Sequence, residues 1–239
     1  MRLLELQAVD SRLDQIAHRR RTLPEQVQVT ELESGLAQLR DRIIAGETEL
    51  SDLEDAVAKA ESDVEQVRAR AGRDQELLDS GRVGSAKELE SLAHELTSLK
   101  RRQTDLEDLE LEVLERAEDA RSSVASLVAQ RSEQEAALES ARQARDAAVA
   151  DLEIDREQAV LERNELVSAV PADLLSLYEK LRESNGGIGA AKLHQGRCEG
   201  CHMQLTPVDL GRIRSAAPDV VLRCDECRRI LVRTAESGL

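Results

Sequence analysis

Asp79-Ser80-Gly81-Arg82-Val83-Gly84-Ser85-Ala86-Lys87-Glu88 is the stretch that decides the fold. Gly81 and Gly84 can take the left-handed backbone that ends a helix. Ser85, with Glu88 three residues on, matches the capping box that opens one. The segment therefore reads as a tight turn between two helices, and the sequence on both sides is unusually regular.

Upstream, apolar residues recur at alternating intervals of four and three: Leu32, Leu36, Leu39, Ile43, then Leu50, Leu53, Val57, Ala60, Val64, Val67 and Ala71, with Gly46 the single interruption. Downstream, a second series runs from Leu89 through Leu92, Leu96, Leu99, Leu106, Val113, Ala117, Ala120, Val124 and Leu127 to Leu138, Ala141, Ala148 and Leu152. Polar members such as Gln103, Glu110, Arg131 and Gln134 interrupt it. A sustained 3.5-residue repeat is a left-handed coiled-coil seam. Folding at the glycines pairs residues whose numbers sum to about 165, giving two arms of equal length, each roughly 120 Å long at 1.5 Å per residue. Matched arms favour an intramolecular antiparallel hairpin and a monomer over an intermolecular coiled coil.

Composition agrees. The 239 residues include no Phe, no Trp and one Tyr, Tyr178. An ordinary globular core draws much of its buried area from aromatic rings, so that class is excluded. Ala, Glu, Lys, Leu and Arg make up 128 of the 239 residues, the composition of long helices. No proline occurs between Pro24 and Pro171, which fits uninterrupted helix. Pro24 should kink or break the first arm. Residues 172–183 read as a short helix started by Pro171 and stopped by Asn185-Gly186-Gly187, a joint between rod and tail. The run Gly186-Gly187-Ile188-Gly189 lacks the flanking strand and helix of a phosphate loop and reads as a linker. The expected organisation is a coiled-coil hairpin over 1–170, a short helix and linker over 171–187, and a ribbon over 188–239.

No apolar run is long enough for a membrane span or a signal peptide, so the expected location is the cytoplasm, with no membrane partner. There the four cysteines are metal ligands rather than disulfides. Cys198-Glu199-Gly200-Cys201 and Cys224-Asp225-Glu226-Cys227 are paired CxxC units. Each tight turn aims two sulfurs at one point, which suits one tetrahedral, structural zinc held by Cys198, Cys201, Cys224 and Cys227. Short strands at 190–194, 220–223 and 229–233, and a helical turn at 207–214, complete the outline of a small β zinc ribbon. Cys198-x-x-Cys201-His202 also fits a c-type haem attachment, but haem needs an exported protein and an apolar, aromatic pocket. A redox CxxC leaves the second pair unexplained, and four thiolates leave no open position for a catalytic zinc. His194 and His202 read as surface residues.

The residues that carry a family resemblance lie along nearly the whole chain. They are Leu3-Leu4-Glu5-Leu6-Gln7 with Val9-Asp10, Lys87-Glu88-Leu89 with Leu92, Glu95-Leu96 and Leu99-Lys100, Tyr178-Glu179-Lys180-Leu181-Arg182, and both knuckles, the second followed by Arg228-Arg229-Ile230-Leu231. In these the sequence resembles the bacterial coiled-coil proteins that end in a C4-type zinc ribbon. One member of that family is a flagellar regulator that binds messenger RNA and chaperones an alternative sigma factor. The resemblance implies a non-enzymatic adaptor and zinc on the four cysteines.

Charge shapes the functional reading. Residues 1–170 carry a net charge of −16, residues 171–185 carry −1, and residues 186–239 carry +2. An acidic rod repels nucleic acid at a distance, so any RNA or DNA contact must come from the ribbon. Arg212, Arg214, Arg228 and Arg229 are the candidate nucleic-acid contacts. The leading expectation is an adaptor that binds nucleic acid or transcription-associated partners through the ribbon. The absence of an aromatic stacking platform counts against single-strand binding. The alternative is a protein-interaction scaffold or chaperone that works through the rod, with the ribbon purely structural. A tip reaching into an RNA polymerase channel fits poorly, since residues 79–85 hold one acid and one base. An enzyme is not expected, because no nucleophile–base constellation is visible.

Overall fold

The structure is a computed structural model that describes residues 2–239. In chain order the elements are α1 (Arg2–Arg21), α2 (Pro24–Asp79), α3 (Ala86–Ser168), α4 (Ala172–Ser184), β1 (Ala190–His194), β2 (Arg197–Cys198), α5 (Pro207–Ser215), β3 (Leu222–Arg223) and β4 (Ile230–Val232). The fold is a long antiparallel helical hairpin followed by a small sheet. Two compact units form, residues 28–140 and residues 1–27 with 141–239.

In the unit 28–140 the seams are where the periodicity puts them. Every seam residue from Leu32 to Ala71 and from Leu92 to Leu138 is buried or half-buried. Leu39 and Ile43 pack on Leu127. The turn forms where it was expected: Gly81 takes φ +64°, Gly84 does not take a positive φ, and the Ser85 hydroxyl accepts the Glu88 amide at 3.3 Å, capping α3. The register differs from the equal-arm expectation. A sum of 165 would set Gly46 opposite residue 119, yet a methyl group at Gly46 would lie 3.0 Å from Val124. The partner is about five residues further along α3, roughly 7 Å. The first turn of α3 therefore runs past the end of α2. Leu89, counted in the seam, lies on that overhang and is 39% exposed.

Ion pairs lock this register. Arg68 pairs with Glu107 at 2.6 Å and Arg121 with Glu54 at 2.9 Å along one flank of the seam, and Arg70 pairs with Glu95 along the other. In heptad terms these join e to e and g to g, the flanking positions that face each other when two helices run antiparallel, and such pairs set orientation. Each is exposed and so contributes about 0–1 kcal/mol; the burial of the seam supplies most of the stability.

In the other unit, α1 stops at Arg21 and α2 starts at Pro24, the break that proline required. Pro24 occupies the first helical position, where its missing N–H costs nothing. Leu23, between the helices, is buried against Ile16 and Leu152. The start of α1 does more than extend the hairpin. Leu3 and Leu6 share a core with Tyr178 and Leu181 of α4, Ala190 of β1 and Ile230 of β4. The sheet has the order β2-β1-β4-β3, with β1 parallel to β4 and the outer pairs antiparallel.

Two sequence readings change here. The glycine run is a docked strap rather than a free linker. Gln7 Oε1 accepts the amides of Gly189 at 2.7 Å and Ala190 at 3.2 Å, while Gln7 Nε2 donates to the Gly187 carbonyl at 2.9 Å. A methyl group at Gly189 would sit 2.5 Å from the Tyr178 carbonyl, so only glycine allows that approach. The joint helix α4 is a keystone as well. Asp10, buried on α1, accepts the Tyr178 hydroxyl at 2.7 Å and Arg163 Nε of α3 at 2.7 Å. Arg163 also reaches Glu179, and Arg182 holds Asp14 with both carboxylate oxygens at 2.7 Å. Burial, followed by the Asp10 carboxylate, pushes the Tyr178 phenol well above its usual range.

Candidate metal centre

The two knuckles are built alike. In the first, His202 N–H donates to the Cys198 carbonyl at 2.7 Å and Cys198 N–H to the Met203 carbonyl at 3.0 Å. In the second, Arg228 N–H donates to the Cys224 carbonyl and Cys224 N–H to the Arg229 carbonyl, both at 2.9 Å. The residue after each second cysteine turns left-handed, His202 at φ +60° and Arg228 at φ +64°. A non-glycine residue there costs on the order of 1–2 kcal/mol. Its appearance at matching positions shows two turns constrained by the same geometry.

The loops bring the four sulfurs together. Cys198 Sγ lies 3.9 Å from Cys227 Sγ, Cys201 Sγ lies 3.8 Å from Cys224 Sγ, and all four fall within 4.8 Å of one another. A tetrahedron with Zn–S bonds of about 2.3 Å has S···S edges of about 3.8 Å. The donor set and its spacing fit one zinc ion. Among the described residues this is the sole cluster of metal-type ligands, and neither His194 nor His202 joins it.

The surroundings explain why a cation is wanted. Burial pushes the Cys198 thiol up to about 12, although the Cys201 and Gly200 amides pull the other way. Burial also raises Cys224. At Cys227 burial acts upward too, but hydrogen bonds from the Arg229 amide and side chain, with those of Cys201 and Cys224, outweigh it and hold the thiol at about 7. A divalent cation reverses the desolvation penalty by stabilising the thiolates directly. Ala191, Leu193, Ile213 and Leu231 form the apolar wall around the sulfurs. Thr206 caps α5 by accepting the Asp209 amide at 3.2 Å, which places Ile213 in that wall.

The candidate nucleic-acid residues lie differently from one another. Arg229 is half-buried, with Nε on the Ile188 carbonyl at 2.9 Å and Nη2 on the Asn185 carbonyl at 2.8 Å. It ties the second knuckle to the strap. Arg212 pairs with Asp225 and Asp209. Arg214 and Arg228 are exposed. Of the other tail cations, Lys192 pairs with Glu236, Arg223 donates to the Arg228 carbonyl, and Arg233 caps the end of α5 through the carbonyls of Ile213, Ala216 and Ala217.

Gln7, Asp10, Arg163 and Arg182 belong to no metal-binding or catalytic motif, yet they tie α1 and α3 to α4 and the strap. A signal was present: Gln7 and Asp10 fall on the same helical face as Leu3 and Leu6, and a polar side chain on an apolar stripe needs buried partners.

Comparison with known proteins places these features in context. The CT398-like coiled coil hairpin domain matches residues 6–186, and the C4-type zinc ribbon domain matches residues 197–231. An uncharacterized protein of Mycobacterium tuberculosis is 38% identical over 231 residues, covering 97% of this chain and 94% of that protein. A solved structure from Mycobacterium smegmatis is 39% identical with a TM-score of 0.81, covering 98% of this chain and 96% of that one. CT398 from Chlamydia trachomatis is 18% identical with a TM-score of 0.71, over 98% and 96% of the two chains, a likeness of fold alone. No helix among the described residues is long and apolar enough to cross a membrane.

Proposed function

The chain belongs to the family of CT398-like coiled-coil hairpin proteins that end in a C4-type zinc ribbon, and from that premise we propose that it is a non-enzymatic, cytoplasmic adaptor. One structural zinc on Cys198, Cys201, Cys224 and Cys227 holds the ribbon (188–239), the strap and joint (171–187) seat it, and the hairpin (1–170) presents the docking surface for a protein partner. The observation that carries this reading is the fate of the tail's cations. Of eight Lys and Arg side chains after residue 186, five are engaged with carboxylates or backbone carbonyls of the same unit. Arginines used this way build the ribbon rather than recognise a ligand. A cytoplasmic location keeps the thiols reduced and available to metal. The test is capture from lysate with the full-length zinc protein, with and without nuclease. Protein partners that survive nuclease support the reading, and their loss would refute it.

The exposed Arg197, Arg214 and Arg228 favour a second reading, contact with RNA or DNA through the ribbon. Each phosphate neutralised adds roughly 0.7–0.9 to the log–log salt slope. Replacing Arg214 and Arg228 by Ala should flatten a real slope by about 1–2 units with zinc retained. No binding by the wild type at low salt would end this reading.

A further inference from the structure

The flank of the hairpin that carries Arg68–Glu107 and Glu54–Arg121 is a ladder with two incomplete rungs. The numbers of each observed pair sum to 175. The same offset sets Glu61 opposite Leu114 and Glu47 opposite Val128, so at those rungs an acid faces an aliphatic side chain. Leu111 precedes Leu114 by one turn, and Ile44 precedes Glu47 by one turn. All four aliphatics are open to solvent: Leu111 is 59% exposed, Ile44 55%, Leu114 38% and Val128 36%. The incomplete rungs are 14 residues apart, two heptads or roughly 21 Å.

We propose that this flank is a docking groove for a cationic amphipathic helix of a partner protein, which would lie along the hairpin as a third strand of the coiled coil. Aliphatic side chains two heptads apart on that helix cover Leu111–Leu114 and Ile44–Val128, and its Lys or Arg side chains reach Glu47 and Glu61. Charge selects this occupant. Residues 44–65 and 105–128 hold sixteen acidic and three basic side chains, −13 of the chain's −15. A second copy of the chain would bring the same acidic face and be repelled, whereas a basic helix is drawn in and completes both rungs. The proposal rests on the adaptor reading and adds where on the rod the partner binds and what its chemistry is.

The test uses the full-length zinc-loaded protein and a labelled synthetic 28-residue helix with leucines at heptad spacing flanked by lysines, read by fluorescence anisotropy at physiological salt. Two controls are a sequence-scrambled peptide of the same composition and a charge-reversed one with Glu for Lys. The wild type should bind the cationic helix and neither control. Leu111→Gln with Leu114→Gln should weaken binding by about tenfold or more, the loss expected from one to two uncovered leucines. Glu47→Gln with Glu61→Gln should weaken it and flatten its salt dependence. Leu109→Gln, on the other flank and also exposed, should leave it unchanged. Circular dichroism and zinc content report that each variant is folded. No binding by the wild type, equal binding of the scrambled peptide, or an equal loss in the Leu109 variant would overturn the groove. Nuclease-resistant partners that remain on the Leu111/Leu114 variant would refute the groove and leave the adaptor reading standing. Absence of such partners on the wild type would refute both.

Discussion

Asp10→Ala removes the acceptor around which α1, α3 and α4 meet. Two effects set the magnitude. Tyr178, with no exposed surface, keeps its hydroxyl and loses its partner; an unsatisfied buried hydroxyl costs about 1–3 kcal/mol. Arg163 loses a 2.7 Å bond to a carboxylate that is 1% exposed. Breaking a fully buried pair costs about 3–5 kcal/mol, but here the figure is discounted. Arg163 and Arg182 are about a quarter exposed and retain Glu179 and Asp14. The net expectation is about 3 kcal/mol. With a urea m-value of about 1–3 kcal/mol/M, the midpoint should fall by about 1–3 M. Asp10→Asn should cost about half as much, because its carbonyl can accept from Arg163 while its amide donates to the Tyr178 oxygen, the hydroxyl changing from donor to acceptor. Tyr178 is the only aromatic residue in the chain, so tyrosine emission reads this unit alone. A midpoint shift below about 0.3 M for Asp10→Ala would refute the keystone role, and equal losses in Ala and Asn would refute the assigned hydrogen bonds.

Three more outcomes are expected. Cys224→Ser should abolish stoichiometric zinc and unfold the ribbon, since structural zinc contributes on the order of 10–16 kcal/mol in small domains, while helical ellipticity from residues 28–140 persists; zinc at one per chain in the variant would count against the cluster. Cysteines introduced at Gly46 and Val124 should crosslink within one chain, and a pair at residues 46 and 119 should not; the reverse would restore the equal-arm register. At high pH the raised Tyr178 phenol keeps its proton in the folded state after the unfolded chain has lost it, so stability is intact below about pH 10 and falls by about 1.4 kcal/mol per pH unit above it. Phenolate absorbance should then appear only together with the loss of structure, and phenolate in the folded protein near pH 10 would contradict the burial.

The sequence exposed what is periodic or locally spaced and hid what depends on a distant partner. The seams were legible because a 3.5-residue repeat encodes the packed face directly. Their register was not, because a near-perfect repeat fits almost as well after a shift; Arg68–Glu107 and Arg70–Glu95 choose among the shifts only once the helices are laid together. Cys198–Cys201 and Cys224–Cys227 were legible from spacing, whereas the left-handed turns at His202 and Arg228 were not, since neither is a glycine. Arg229 looked like a free cation beside Arg228, and only the folded strap shows its guanidinium turned onto the Asn185 and Ile188 carbonyls. Residues 2–21 look like more coiled coil, and the partners that make Gln7 and Asp10 intelligible, Gly187, Gly189 and Ala190 for the one and Arg163 and Tyr178 for the other, are more than 150 positions away.

That separation bears on biosynthesis. The seat of the ribbon is assembled from residues that are far apart in the chain. Asp10 and Tyr178 are 168 positions apart, and Gln7 and Ala190 are 183 apart. At about 5–20 residues per second, the ribosome leaves Gln7 and Asp10 without those partners for roughly 8–37 s. The hairpin can zip from its tip as α3 emerges, since those contacts are local at the turn. Only when that zipper reaches α1 does the unit around Tyr178 close, which makes the seat of the ribbon late to mature in each newly made chain.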